Sequence, residues 1–211
     1  MLQAAITKVR ANYLTLAAAI LVAVITWALL AHSVAGMNYS AGTYGSCQYG
    51  SCGISLTTSG SLSADVTPAV GSTRCTVNND IVTVATNAST GYTVTLTDTD
   101  TTNTLVGPTT IAASSATPAS PAVLTANTWG YRVDSIAGFG AGPTSSVSSG
   151  AIPSETYAGV PISSGTPGTI RTTSVADTGA VNTSVWYGVC AGSSLPSGSY
   201  TDNVTYTAVI N

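Results

Sequence analysis

The sequence predicts an all-β fold, an antiparallel two-sheet β-sandwich of the immunoglobulin-like kind, preceded by one N-terminal transmembrane or signal helix. Three observations lead there. Beyond residue 36 the apolar residues alternate with polar ones at period two, the spacing of a strand with one buried face. The polar positions are mostly hydroxyls, 27 Ser and 35 Thr, against 5 Lys or Arg and 8 Asp or Glu in 211 residues. With one glutamate, Glu155, and no lysine after Lys8, a charged surface helix has little to form from, whereas Thr, Val and Tyr suit a pleated, half-buried surface. Finally, Leu14 to Ala31 is an uncharged apolar run behind the basic pair Lys8 and Arg10.

In chain order, that run comes first. As a helix its eighteen residues would extend about 27 Å, close to the hydrocarbon thickness of a bilayer. Ser33 and Ala35 stand at the −3 and −1 positions of a cleavage site before Gly36, so residues 1–35 read as a signal peptide or as a retained anchor through 14–31. In both cases Lys8 and Arg10 stay inside and the rest of the chain is exported. Residues 36–53 are a Gly/Ser/Tyr spacer, and 54–211 form the sandwich domain.

Within that domain Leu62, Ala64 and Val66 alternate with Ser63, Asp65 and Thr67. Val82 and Val84 lead through Asn87–Gly91 to Tyr92, Val94 and Leu96, which predicts a β-hairpin. Further strands carry Trp129, Tyr131 and Val133, then Val185, Tyr187 and Val189. The last runs through Tyr200, Val204, Tyr206, Ala208 and Ile210, with Asp202 interrupting its apolar phase. Eight to ten strands are expected, joined by loops rich in Ala, Ser, Pro and Gly at 112–122, 135–150 and 159–168.

Cys47, Cys52, Cys75 and Cys190 all lie in the exported part, where thiols oxidise. Of the three possible connectivities we expect a local Cys47–Cys52 bridge, inside the repeat Tyr44-Gly-Ser-Cys-Gln-Tyr-Gly-Ser-Cys52, and a long-range Cys75–Cys190 bridge. The spacing is not that of a zinc ribbon or knuckle, and the sole histidine, His32, precedes the exported part.

The same inventory excludes function classes. A net charge of −3 without a basic cluster cannot neutralise a row of phosphates, so no nucleic-acid partner is expected. Without an exported histidine, neither a Ser-His-Asp nor a Cys-His nucleophile can be assembled, and no cofactor motif is present; the chain reads as non-enzymatic. Asp98, Asp100 and Asn103 place oxygens after a strand and form a weak calcium candidate, without the glycine and glutamate of an EF-hand. Trp129, Tyr131, Arg132, Phe139, Tyr157 and Trp186 are the candidates for ligand contact, with core packing as the competing explanation for the aromatic rings. Arg74, Arg132 and Arg171 are the remaining exported cations. The sequons at Asn38, Asn87, Asn182 and Asn203 are as many as this composition gives by chance.

The stretch Tyr187-Gly-Val-Cys-Ala-Gly-Ser-Ser-Leu-Pro-Ser-Gly-Ser-Tyr-Thr-Asp-Asn-Val-Thr-Tyr-Thr-Ala-Val209 resembles the closing hairpin of secreted bacterial β-sandwich proteins, namely spore coat protein U-like and WxL-like domains. Asn87-Ala-Ser-Thr-Gly-Tyr-Thr-Val-Thr-Leu96 is similar to a hairpin of exported surface proteins. The two pieces cover about 35 residues, and the exported part has no Trp-x-Leu: Trp129 and Trp186 are followed by Gly-Tyr and Tyr-Gly. The resemblance implies an exported bacterial cell-surface protein with a structural or adhesive role. It would partner cell-envelope or host-surface components or itself, with the membrane as a further contact if 14–31 is retained. The alternative is a secreted carbohydrate-binding module.

Overall fold

The computed structural model describes residues 53–62 and 68–211. The predicted N-terminal helix, the spacer up to residue 52, Cys47, Cys52 and residues 63–67 of the first predicted strand lie outside them. The described residues are all-β, without a helix. Twelve strands follow in order: β1 (Ile54–Thr57), β2 (Arg74–Thr86), β3 (Tyr92–Asp98), β4 (Thr104–Val106), β5 (Thr110–Ala113), β6 (Ala122–Val123), β7 (Thr128–Val133), β8 (Val147–Gly150), β9 (Thr156–Tyr157), β10 (Gly168–Thr172), β11 (Asp177–Ala191) and β12 (Val204–Ile210).

Seven strands form one sheet in the order β1-β2-β11-β7-β5-β4, with β8 beside β2. Three form a second sheet, β10-β3-β12, and β6 pairs with β9. The pairings are antiparallel except β5 with β7, where Ala112 and Ala113 run parallel to Thr128 and Trp129. The expectation of a purely antiparallel arrangement is corrected at that point. The 14 residues between β5 and β7 return the chain to the same end of the sheet before the next strand starts, as a parallel pair requires.

The alternation read from the sequence fixes which side chains face inward. On β2 Val82 and Val84 are buried, on β7 Trp129, Tyr131 and Val133, and on β11 Val185 and Val189. They meet Tyr92, Val94 and Leu96 of β3 and Ile170 of β10 in one core between the large sheet and the three-stranded one. The opposite face of the large sheet is also covered. Cys75, Val77, Trp186 and Cys190 pack there with Leu124 and Tyr157 in a smaller apolar cluster. Gly130 and Gly188 stand opposite each other in the β7–β11 register, and a Cβ on Gly188 would come within 2.7 Å of Leu124 Cδ1. The absence of side chains at this spot lets the β6–β9 layer lie directly on the sheet.

The predicted hairpin across 87–91 is not one. β2 belongs to the large sheet and β3 to the small one, so the turn steps across the core. Inward-facing apolar residues at period two are satisfied equally by strands side by side and by strands facing each other, and the alternation cannot tell these apart. The connection is pinned by Asn87 Oδ1, which accepts the Gly53 N–H at 2.8 Å, and by Gly91, whose φ of 76° is left-handed. The C-terminal stretch likewise places β11 and β12 in different sheets.

Cys75 and Cys190 are bonded and buried, on directly opposed positions of β2 and β11. The long-range half of the expected disulfide pattern is thus present.

Candidate functional site

The six ligand candidates are placed on two faces of the large sheet and do not form one site. Trp129, Tyr131 and Phe139 lie in the main core. The Trp129 indole N–H donates to the Asn103 carbonyl at 3.0 Å and its ring stacks near Tyr187, with centroids 6.5 Å apart. Tyr131 meets Phe139 edge-on at 5.7 Å, and burial pushes the Tyr131 phenol up to about 12. Tyr157 and Trp186 belong to the opposite cluster, and Tyr157 is likewise shifted upward by burial. All these rings are buried. What the sequence offered as a binding platform is packed interior.

Arg132 points to the outer face between them and is fully buried. Its Nη2 donates to the carbonyls of Phe139 at 2.9 Å, Gly140 at 3.0 Å and Ala141 at 3.2 Å, and its Nη1 to Thr156 at 3.2 Å. Its guanidinium sits 5.9 Å from the Tyr157 ring centroid, and Asp134 approaches at 3.8 Å. A planar fork with five donors suits carbonyls converging from two segments. Arg132 therefore folds the 135–142 loop back onto the sheet. Arg171 donates from Nε to the Tyr92 hydroxyl at 2.9 Å and pairs with Asp177 at 3.8 Å, while Arg74 is exposed.

The concave features lie elsewhere. A groove of about 730 Å³ opens between residues 56–62 and the start of β12, floored by Trp129, Tyr187 and Tyr206 and bordered by Tyr200, Asp80 and Asp202. Across its floor the Tyr187 and Tyr206 hydroxyls are 2.7 Å apart, linking the two sheets. Burial, first of all, raises both phenols, and Asp80 raises them further. Asp80 itself is buried and accepts the Ser59 backbone N–H at 2.9 Å and its hydroxyl at 2.6 Å. A second cavity of about 670 Å³ between 114–119 and 159–169 is lined by hydroxyls, Pro, Ala and Asn103, with no charged side chain.

Asp98 closes β3, and Asp202, which borders the groove, lies two residues before β12, whose first residue, Val204, pairs with Asp98. Burial pushes the Asp202 carboxyl up to about 7; the Asn203 backbone N–H opposes this, and the neighbouring Asp98 and Asp100 carboxylates add to it. Of the calcium candidate, Asp98 and Asp100 stay together, with the Asp100 backbone N–H donating to Asp98 Oδ1 at 3.0 Å. Asn103 is turned away: its Nδ2 donates to the Val160 carbonyl at 2.8 Å and its own carbonyl holds Trp129. Asp202, which was not part of that candidate, is brought beside Asp98 and Asp100 instead. Its signal was present in the sequence as an acid on the apolar phase of the last strand.

No protein-family model, curated protein or solved structure matches the chain.

Proposed function

We propose that the chain is an exported bacterial cell-surface protein whose domain is an immunoglobulin-like two-sheet sandwich, with a structural or adhesive, non-catalytic role carried out by association through strand edges. The observation that carries this reading is the outer edge of β12. It is seven residues long, in unbroken register with β3, with no Pro, Gly or charged side chain, and unpaired on its far side among the described residues. Proteins that avoid association guard such edges with charges, bulges or brevity. The other sheet ends here are guarded in that way: β1 and β4 have four and three residues, and β10 carries a bulge and Arg171. The buried Cys75–Cys190 bridge supports an oxidising, extracellular setting. The resemblance to spore coat protein U-like and WxL-like domains enters this reading only in its general sense of a secreted structural sandwich, because the two stretches that carry it join strands of different sheets here. The burial of Trp129, Tyr131, Tyr157 and Trp186 removes the feature on which a carbohydrate-binding module would rest.

Sedimentation of the full chain, wild type against Thr205→Lys/Thr207→Lys, tests the association. Both threonines are exposed on β12, so the charges leave the core intact while guarding the edge. The expected result is concentration-dependent multimers for the wild type and a monomer with an unchanged melting temperature for the variant. A wild type that stays monomeric, or a variant that assembles equally well, refutes the reading. N-terminal sequencing of cell fractions tests the location: Gly36 in the medium or Met1 in the membrane fraction supports export, and cytosolic material contradicts it.

A further inference from the structure

We propose that Asp98 and Asp202, with Asp100 at the rim, form a binding site for a hard divalent cation of the calcium class at the junction of β3 and β12. The argument starts from two carboxylate oxygens. Asp98 is 1% exposed, and its Oδ2 is buried without a hydrogen-bond partner. The same is true of Asp202 Oδ2, on the chain segment facing it. Their other oxygens are occupied: Asp98 Oδ1 accepts from the Asp100 backbone and Asp202 Oδ1 from the Asn203 N–H at 2.7 Å. The two carboxyls lie within hydrogen-bond reach of each other, a contact that needs one proton or a cation between them, and the charges acting on Asp202 are all negative. The ion pairs among the described residues, Arg132–Asp134 and Arg171–Asp177, are both elsewhere.

Two like charges turned towards each other away from water are costly; one shared proton relieves them when no metal is bound, and a divalent cation that displaces this proton relieves them while coordinating both oxygens. Only oxygens are offered, which selects a hard ion. Asp100 Oδ1 is engaged by the backbone and hydroxyl of Thr102, at 2.6 and 2.9 Å, which holds its carboxylate in place while its second oxygen stays open. Among the described residues no three His, Cys, Asp or Glu side chains make a ready-formed metal cage. The site is accordingly a two-carboxylate one with Asp100 at its mouth, completed by water. Such a ligand set belongs with the weak extracellular calcium modules, at dissociation constants of about 0.1–1 mM. The site would tie the β12 entry to the end of β3, next to the Thr99 N–H bond to the Asn203 carbonyl at 3.1 Å. It is independent of the edge-association reading.

The test is a thermal melt of the full chain, disulfide intact, in EDTA and in 10 mM calcium, together with terbium luminescence excited through tryptophan. Trp129 lines the same groove as Asp202 and is placed to sensitise the ion. The expected result is a rise in Tm of about 3–10 °C with calcium, little change with magnesium, and terbium emission that calcium displaces. Asp202→Asn should abolish the calcium shift and the emission while melting no lower than wild type in EDTA, because the like-charge pair is gone. Asp100→Asn, at an exposed position, should weaken terbium binding several-fold and provides the reading if the buried variant does not fold. Absence of both a calcium shift and displaceable emission in the wild type overturns the proposal, as does a folded Asp202→Asn, or an Asp100→Asn standing in for it, that keeps both in full.

Discussion

Replacing Arg132 by Met should cost about 2–4 kcal/mol, a large share of the total stability of a domain this size. The figure comes from the carbonyls. Nη2 has two hydrogens for three acceptors, Phe139, Gly140 and Ala141, and Nη1 serves Thr156, so three charge-assisted bonds can be made at once. The buried Phe139 carbonyl deprived of its donor costs about 1–2 kcal/mol, and two of the part-buried Gly140, Ala141 and Thr156 carbonyls, which water partly reaches, cost about 0.5–1 kcal/mol each, which together give the range. Methionine nearly matches the volume of the side chain and keeps contact with the Tyr157 ring, which limits any additional cavity cost. The assay is urea unfolding followed by tryptophan fluorescence, with the disulfide intact. Asp134→Asn is the control. Asp134 is 44% exposed at 3.8 Å, so its loss should cost less than about 1 kcal/mol. A loss below about 1 kcal/mol for Arg132→Met, or an equal loss for both variants, would refute the argument that the carbonyls hold the residue in place.

Two further outcomes follow from the packing. The Cys75–Cys190 bridge closes a sequence separation of 115 residues, so Cys75→Ala with Cys190→Ala should lower unfolding stability by about 4.8 kcal/mol in the chain-entropy treatment; a loss under about 2 kcal/mol in urea titration would show that the unfolded chain is not freed by breaking it. Tyr187→Phe and Tyr206→Phe should each cost about 1 kcal/mol, and the double variant about 0.5–1.5 kcal/mol less than their sum, because both remove the same 2.7 Å hydrogen bond; strict additivity in a double-mutant cycle would mean that this bond does not tie the sheets together.

The strands were legible because their physics is local. Val82 and Val84, Tyr92 to Leu96, Trp129 to Val133 and Val185 to Val189 all lie in strands with the alternation the sequence shows. Which strand lies beside which was not legible, since alternation reports a buried face and not the neighbour across it. That is why Asn87–Gly91 reads as a hairpin turn and is a crossing between sheets. Short strands such as β6 and β9 leave no periodic trace at two residues each; only the paired glycines 130 and 188 hint at a layer lying on that face. For the site, Asp98 and Asp100 were visible as a local spacing. Asp202 is 102 residues beyond Asp100, and only the β3–β12 register brings it there.

The charge deficit acquires a physical consequence once the charges are located. Of the few that the described residues contain, Arg132, Asp80 and Asp98 are buried, and Arg171 and Asp177 engage each other. What remains on the surface is largely hydroxyl: the solvent side of the small sheet presents Thr93, Thr95 and Thr97 on β3 beside Thr205 and Thr207 on β12. Threonine favours the strand conformation and hydrates the face, yet it offers none of the repulsion by which a lysine discourages a second strand. Charges used inside to hold the 135–142 loop and to line the groove are thus unavailable at the edges. The placement that fixes the fold of a single molecule is the same one that leaves the β12 edge without a guarding charge.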